Sequence, residues 1–217
     1  MSRAPAKRLA VRAVCLATIT FVTVAITAGV AWAAYTDNMY PTQYANSGCR
    51  DDPDGGDGQI SCRTDNSSLS YYMVSSGEYE LEQVDRNVVT DVMVNDFAPT
   101  DLTVSYDSSP SFSGSAETDI IYQEGSTNIS SSDGVTWCNN AAGPDECDQQ
   151  YIRIRGAGHY VNGLTCHETG YAVGLVHGNQ ASPQKSNSDE ALGCMETPTS
   201  SGEGLQANNV ENINNTY

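Results

Sequence analysis

The chain has 217 residues, with ten Lys and Arg against 27 Asp and Glu, a formal net charge of −17. That length suits one domain with a real core. The charge excludes nucleic acid and anionic membranes as partners, because both are bound through a basic face.

Arg3, Lys7, Arg8 and Arg12 precede an uncharged stretch from Ala13 to Val30, and Ala31-Trp32-Ala33 has the small-residue form of a cleavage site. Residues 1–33 are expected to be a signal peptide cut after Ala33, which makes the mature protein secreted and extracellular, with no membrane partner. An uncleaved anchor is the alternative, since the apolar stretch is long enough to cross a bilayer. Cys15 lies inside that stretch rather than after a lipobox, which argues against a lipid anchor. The four basic residues leave with the segment, so six of the ten remain against 27 acids, a net −21. That is the balance of a very soluble protein.

Residues 34–78 read as an acidic, turn-rich N-terminal extension pinned by a disulfide, and a removable pro-segment is one reading of it. Asp51, Asp52, Asp54 and Asp57 sit among Pro53, Gly55, Gly56 and Gly58, between Cys49 and Cys62. Four carboxylates in a tightly turning chain are a candidate structural Ca²⁺ site, although the spacing is not that of an EF-hand. A solvated turn is the competing reading.

Residues 79–217 are the expected main domain. Leu81, Val84, Val88 and Val92, widened by Val89, Met93 and Phe97, recur at three- and four-residue steps. They predict a helix from about Glu78 to Phe97, capped by Ser75 or Ser76 and ended by Pro99. Strands are expected at Leu102–Tyr106, Ile120–Tyr122 and Tyr151–Arg155, separated by Ser-rich loops at 107–116 and 124–135. Alternation in the last strand puts Arg153 and Arg155 on a solvated face. A helix is expected from near Leu164. Irregular chain follows His177, and the Asn-rich tail 205–217 reads weakly as any element.

Cys49, Cys62, Cys138, Cys147, Cys166 and Cys194 remain after cleavage. An even count in an exported chain predicts disulfides. Of the roughly 15 pairings open to six cysteines, short loops favour Cys49–Cys62 and Cys138–Cys147, leaving Cys166–Cys194. No odd thiol is left to act as a nucleophile. A serine hydrolase is also set aside, because no G-x-S-x-G elbow occurs.

The motif of the chain is His167-Glu168-Thr169-Gly170-Tyr171-Ala172-Val173-Gly174-Leu175-Val176-His177. It is the zinc signature H-E-x-x-H-x-x-G-x-x-H with Tyr171 at the second histidine. Helix positions four apart share a face, so His167 and Tyr171 can point at one ion. Glu168 lies beside them, placed to act as general base on a water. Gly174 tolerates positive φ, so the helix can end there and the chain can bend to return His177 as a ligand from outside it. His159, the remaining histidine, is either a loop residue or a substitute ligand.

This segment resembles the metzincin clan of zinc endopeptidases, above all its matrixin-like and small secreted bacterial members. The resemblance covers about residues 79–196. It implies an α+β, zincin-like fold: a twisted mixed sheet of four to five strands packed on two long helices, followed by an irregular C-terminal part. It also implies one catalytic Zn²⁺ and a methionine in a tight turn beneath it. Gly193-Cys194-Met195 lies downstream of His177, which gives that place to Met195. A monomer acting on protein or peptide substrates follows from the same resemblance. Tyr171 departs from the pattern. A phenol titrates near ~10 and holds zinc well only without its proton, so weaker zinc binding than the family's is expected. Two functions follow: a zinc endopeptidase, or an inactive relative that keeps the cleft and binds peptides or proteins.

Overall fold

The structure, a computed structural model, describes residues 35–52, 62–114, 116–129 and 133–217. The expected signal peptide with its cut after Ala33, and the acidic loop from Pro53 onward, lie outside the described residues. Thr36–Tyr217 forms one compact unit.

Side-chain alternation builds the sheet. In Ser68–Met73, Leu69, Tyr71 and Met73 are buried while Ser68 is exposed, the period-two pattern of a strand with one face on a core. Ile120–Glu124 is instead buried at its first four residues, as expected where a parallel sheet is covered on both faces. The described strands are β1 (Arg63–Thr64), β2 (Ser68–Met73), β3 (Thr103–Tyr106), β4 (Ile120–Glu124), β5 (Gly134–Ala141) and β6 (Glu146–Ile154). They run β3-β2-β4-β6, with β1 on the first residues of β6. Every pairing is parallel except β5 on β6. The protein is α+β with a mostly parallel sheet, of six strands rather than the expected four or five.

Helix α1 (Gln83–Val92) continues as a π-helix over Met93–Phe97. Val89, Val92, Met93 and Phe97 face the sheet and meet Ile120, Tyr122, Ile152 and Ile154 in the main core. The helix starts later than Glu78, and no serine caps it: the residue before its first turn is Glu82. Val84 points away from the core and is 61% exposed, so the apolar stripe is narrower than the sequence spacing suggests. Helix α2 (Asn162–Ala172) carries the motif and is buried at Thr165–Gly170 without a break. Helix α3 (Ala207–Asn214) forms in the Asn-rich tail.

Several sequence expectations need correction. β2 falls in a stretch read as turns, and it lies between β3 and β4. Removing residues 34–78 would therefore take an interior strand out of the sheet. β5 begins where a loop was expected. Arg153 is not on a solvated face but 5% exposed. Its guanidinium lies 4.2 Å from the Tyr79 ring and 4.9 Å from the Trp137 ring, and it donates to Gln123 Oε1 and the Thr127 carbonyl. Cation–π stacking and hydrogen bonds from all three guanidinium nitrogens let this charge stay buried.

The three disulfides are Cys49–Cys62, Cys138–Cys147 and Cys166–Cys194, the two pairs that short loops favour and the one those two leave over. Cys49, Cys138 and Cys147 cluster closely enough to suggest a metal site, but all three sulfurs are spent in disulfides. Asp51, the first carboxylate of the acidic loop, accepts from the Ala141 amide at 2.7 Å.

An acid pair, a buried Asp85 and a half-buried Glu124, sits between α1 and β4. Asp85 is 3% exposed, and burial together with a hydrogen bond to Glu124 raises its pKa to about 6. A carboxyl whose folded pKa is raised adds stability below its unfolded pKa, near ~3.9, and loses it as pH rises through the folded value. Asp85→Asn keeps a donor for Glu124 and removes that titration. Urea unfolding of the metal-free chain is expected to find the variant no more stable than wild type at pH 4 but more stable at pH 7.5.

Candidate metal centre

The site is built around α2. His167 and Tyr171, one turn apart, put their rings on one side, with centroids 5.0 Å apart. The helix ends at Gly174, whose φ is +99° and where a Cβ would stand 2.5 Å from Arg63 Cβ and 3.0 Å from Met39 Sδ. Only glycine fits both the conformation and the space. The Leu175 amide bonds back to the Gly170 carbonyl at 2.8 Å, and the reversed chain brings His177 to the same side. Asn38 braces that return: its Nδ2 donates to the Val176 carbonyl at 3.1 Å, and the Val176 amide donates to the Asn38 carbonyl at 2.8 Å.

The donors converge. His167 Nε2 and His177 Nε2 are 3.2 Å apart, and the Tyr171 hydroxyl is 2.7 Å from His177 Nε2. Thr197 Oγ1 stands 3.2 Å from that same nitrogen. On the far side of its ring, His167 Nδ1 lies 2.6 Å from the Cys194 carbonyl and 3.0 Å from Thr199 Oγ1. A carbonyl can only accept, so Nδ1 carries the proton and Nε2 presents a lone pair.

Burial sets the charges. It lowers the His167 pKa to about 4, helped by the charge of His177 and opposed by the Cys194 carbonyl. Burial also lowers that of His177. Both imidazoles are therefore neutral near pH 7, the form that binds metals. The Tyr171 phenol is pushed upward by burial and then by Glu168, so it keeps its proton. Two neutral imidazole nitrogens and a phenol are a donor set able to hold a divalent metal, provided the phenol gives up that proton.

Glu168 is 5% exposed. Thr136 on β5 donates to its Oε2 at 2.7 Å, and a Cβ on Gly134 would come within 2.6 Å of Oε1. The missing side chain at Gly134 is what lets β5 lie against this carboxyl. Burial raises the Glu168 pKa to about 7, against the hydrogen bond from Thr136. A cavity of about 770 Å³ opens over these groups, walled by Val135 of β5, Leu164 of α2 and the segment Thr197-Pro198-Thr199.

Met195 is fully buried, its sulfur seated against Gly170 of α2. His159 stands apart from the donor cluster: it faces Asp133 at 3.3 Å on the cavity rim. Sequence reasoning brings forward His167, Glu168, Tyr171, Gly174, His177 and Met195 and misses Thr136, Thr197, Thr199 and Asn38. The two threonines flank Pro198 directly after the methionine, a nearby cue. Thr136 and Asn38 are distant in sequence and carry no local signal.

The Gly170–Met195 contact is testable. A methyl group at position 170 overlaps Met195 Sδ, and overpacking outweighs the helix propensity gained. Gly170→Ala is expected to destabilise by about 1–2 kcal/mol. Gly143→Ala, where a Cβ meets nothing within 4 Å, is expected to change stability by less than about 0.5 kcal/mol. Equilibrium urea unfolding measures both. Compared with protein-family models the chain matches no family, and compared with curated proteins it matches none.

Proposed function

We propose that this chain is a secreted zinc-dependent endopeptidase of metzincin type whose third protein donor is a phenol. One observation carries the reading: two imidazole nitrogens ten positions apart in sequence stand 3.2 Å from each other. Two ligands of one tetrahedral zinc, each at 2.0–2.1 Å, stand about 3.3 Å apart, so the spacing fits a shared ion. Crowding supports it too. An imidazole nitrogen offers one in-plane position, a lone pair or an N–H. Tyr171, His167 and Thr197 all lie within 3.2 Å of that position on His177. A cation held by several of these groups relieves the competition.

The chemistry such an ion supplies is Lewis acidity, toward a water and toward a peptide carbonyl. His167 and His177 would hold it, with Tyr171 as the third donor and Met195 packed beneath. Glu168 is placed to take a proton from water and return it to the leaving amine. Thr136 holds Oε2, which fixes the orientation of the carboxyl for that transfer. β5 pairs with β6 on one side, and a protein or peptide substrate laid along its other side would pair by backbone hydrogen bonds and cross the cavity. Apolar groups at Leu164 and Pro198 would take a substrate side chain. The expected signal peptide and three disulfides support export. Among the described residues, no helix is long and apolar enough to cross a membrane.

A second reading rests on Tyr171. Its hydroxyl sits 2.7 Å from His177 Nε2, and burial keeps its proton on. A phenol so placed can fill the position of an ion, which favours an inactive relative that binds peptides without cutting them.

Zinc content after dialysis and casein hydrolysis with and without a chelator separate the two. The endopeptidase reading expects one zinc per chain and chelator-sensitive hydrolysis. Tyr171→His is expected to raise zinc affinity at least about tenfold and proteolysis with it. Glu168→Gln is expected to keep zinc while losing about 10²-fold or more in rate. A metal-free wild type together with no gain in Tyr171→His would contradict the enzyme reading.

A further inference from the structure

The Cys166–Cys194 bridge joins residues 28 apart, and the loop it closes contains the whole motif from His167 to His177. One sulfur belongs to the residue before His167. The other belongs to the residue whose carbonyl accepts from His167 Nδ1 at 2.6 Å. We propose that this disulfide is a positioning device for His167: it holds the Cys194 carbonyl under the imidazole, keeps the ring proton on Nδ1, and so aims the Nε2 lone pair at His177 and Tyr171.

Both partners of Nδ1 lie on one segment. Thr199 Oγ1, 3.0 Å from Nδ1, donates to the Glu196 carbonyl at 2.7 Å, which turns its own oxygen toward the ring as an acceptor. Without the bridge, segment 193–199 would be tied to its surroundings by weaker means. The Cys194 amide donates to Gly204 at 2.9 Å, Gly193 adopts φ +51° in a tight approach to residues 204–206, and Met195 rests on Gly170. Of these only the Met195 contact reaches α2, through a side chain packed on Gly170, and a packing contact does not fix the direction of the Cys194 carbonyl. The covalent bond does, through the residue next to the ligand. Both sulfurs are fully buried, so the role is static. The other two disulfides do not share this placement: Cys49 and Cys138 sulfurs touch at 3.5 Å in a separate cluster with Cys62 and Cys147.

The inference rests on the proposed metal centre for its consequence, whereas the tautomer claim stands without a metal. The test is the double variant Cys166→Ser/Cys194→Ser, with Cys166→Ala/Cys194→Val as a second pair that refills the buried volume. Cys138→Ser/Cys147→Ser is the control. Long-range ¹⁵N NMR of the metal-free chain reads the His167 tautomer, and competition with a chromogenic chelator reads zinc affinity. Wild type and control are expected to show a single Nδ1–H form, and the bridge variants a mixture. Zinc affinity is expected to fall about 10–100-fold in the bridge variants and to stay within about threefold in the control. Folded bridge variants with an unchanged tautomer and affinity would overturn the proposal. So would an equal loss in the control, or failure of both bridge pairs to fold, since either assigns the bond to general stability. A wild type that shows the single tautomer, lost in the bridge variants, but binds no zinc supports the positioning role and removes the metal reading alone.

Discussion

The in-plane position of one nitrogen, His177 Nε2, is the constraint around which the site is arranged. A phenol oxygen, a second imidazole nitrogen and a threonine hydroxyl all stand within 3.2 Å of it. Burial keeps both imidazoles neutral, so proton charge does not satisfy this demand. The arrangement is held from three directions. α2 fixes His167 and Tyr171, the Gly174 bend returns His177, and residues 194–199 grip the opposite edge of the His167 ring. Each of these depends on close packing that a single methyl group would disturb, at Gly170 and Gly174 above all.

The sheet serves this arrangement through β5. It is antiparallel to its neighbour where the other pairings are parallel, and it presents Thr136 to Glu168 and Val135 to the cavity. The general-base candidate is thus fastened to the strand along which a substrate would lie.

Legibility followed the range of the interactions. The motif helix and its bend were readable because 3.6-residue periodicity and a positive-φ glycine act locally; short loops pointed to two disulfides and left the third by elimination. α1 was found but placed early, since Leu81 and Val84 continue its spacing while lying outside the helix or on its solvent side. β2 was missed because its outward positions are Ser and Tyr, which read equally well as turn and strand. β5 begins in a glycine, and its Val135-Thr136-Trp137 core is too short to outweigh a polar neighbourhood. Arg153 was misplaced because alternation cannot foresee two aromatic rings from other elements closing over a cation. Thr136 and Asn38 show the general limit: contacts more than thirty residues apart in sequence leave no pattern to read.

Tyr171 marks where geometry and chemistry part. Its oxygen reaches the cluster, 2.7 Å from His177 Nε2. Its proton, however, is held by burial and by the charge of Glu168. Whether an ion can displace that proton is the question on which the account turns. Anomalous diffraction at the zinc edge from crystals grown with zinc answers it most directly. The account predicts one peak about 2.0–2.1 Å from both His167 Nε2 and His177 Nε2. No peak there, with the Tyr171 hydroxyl still seated on His177, would contradict it.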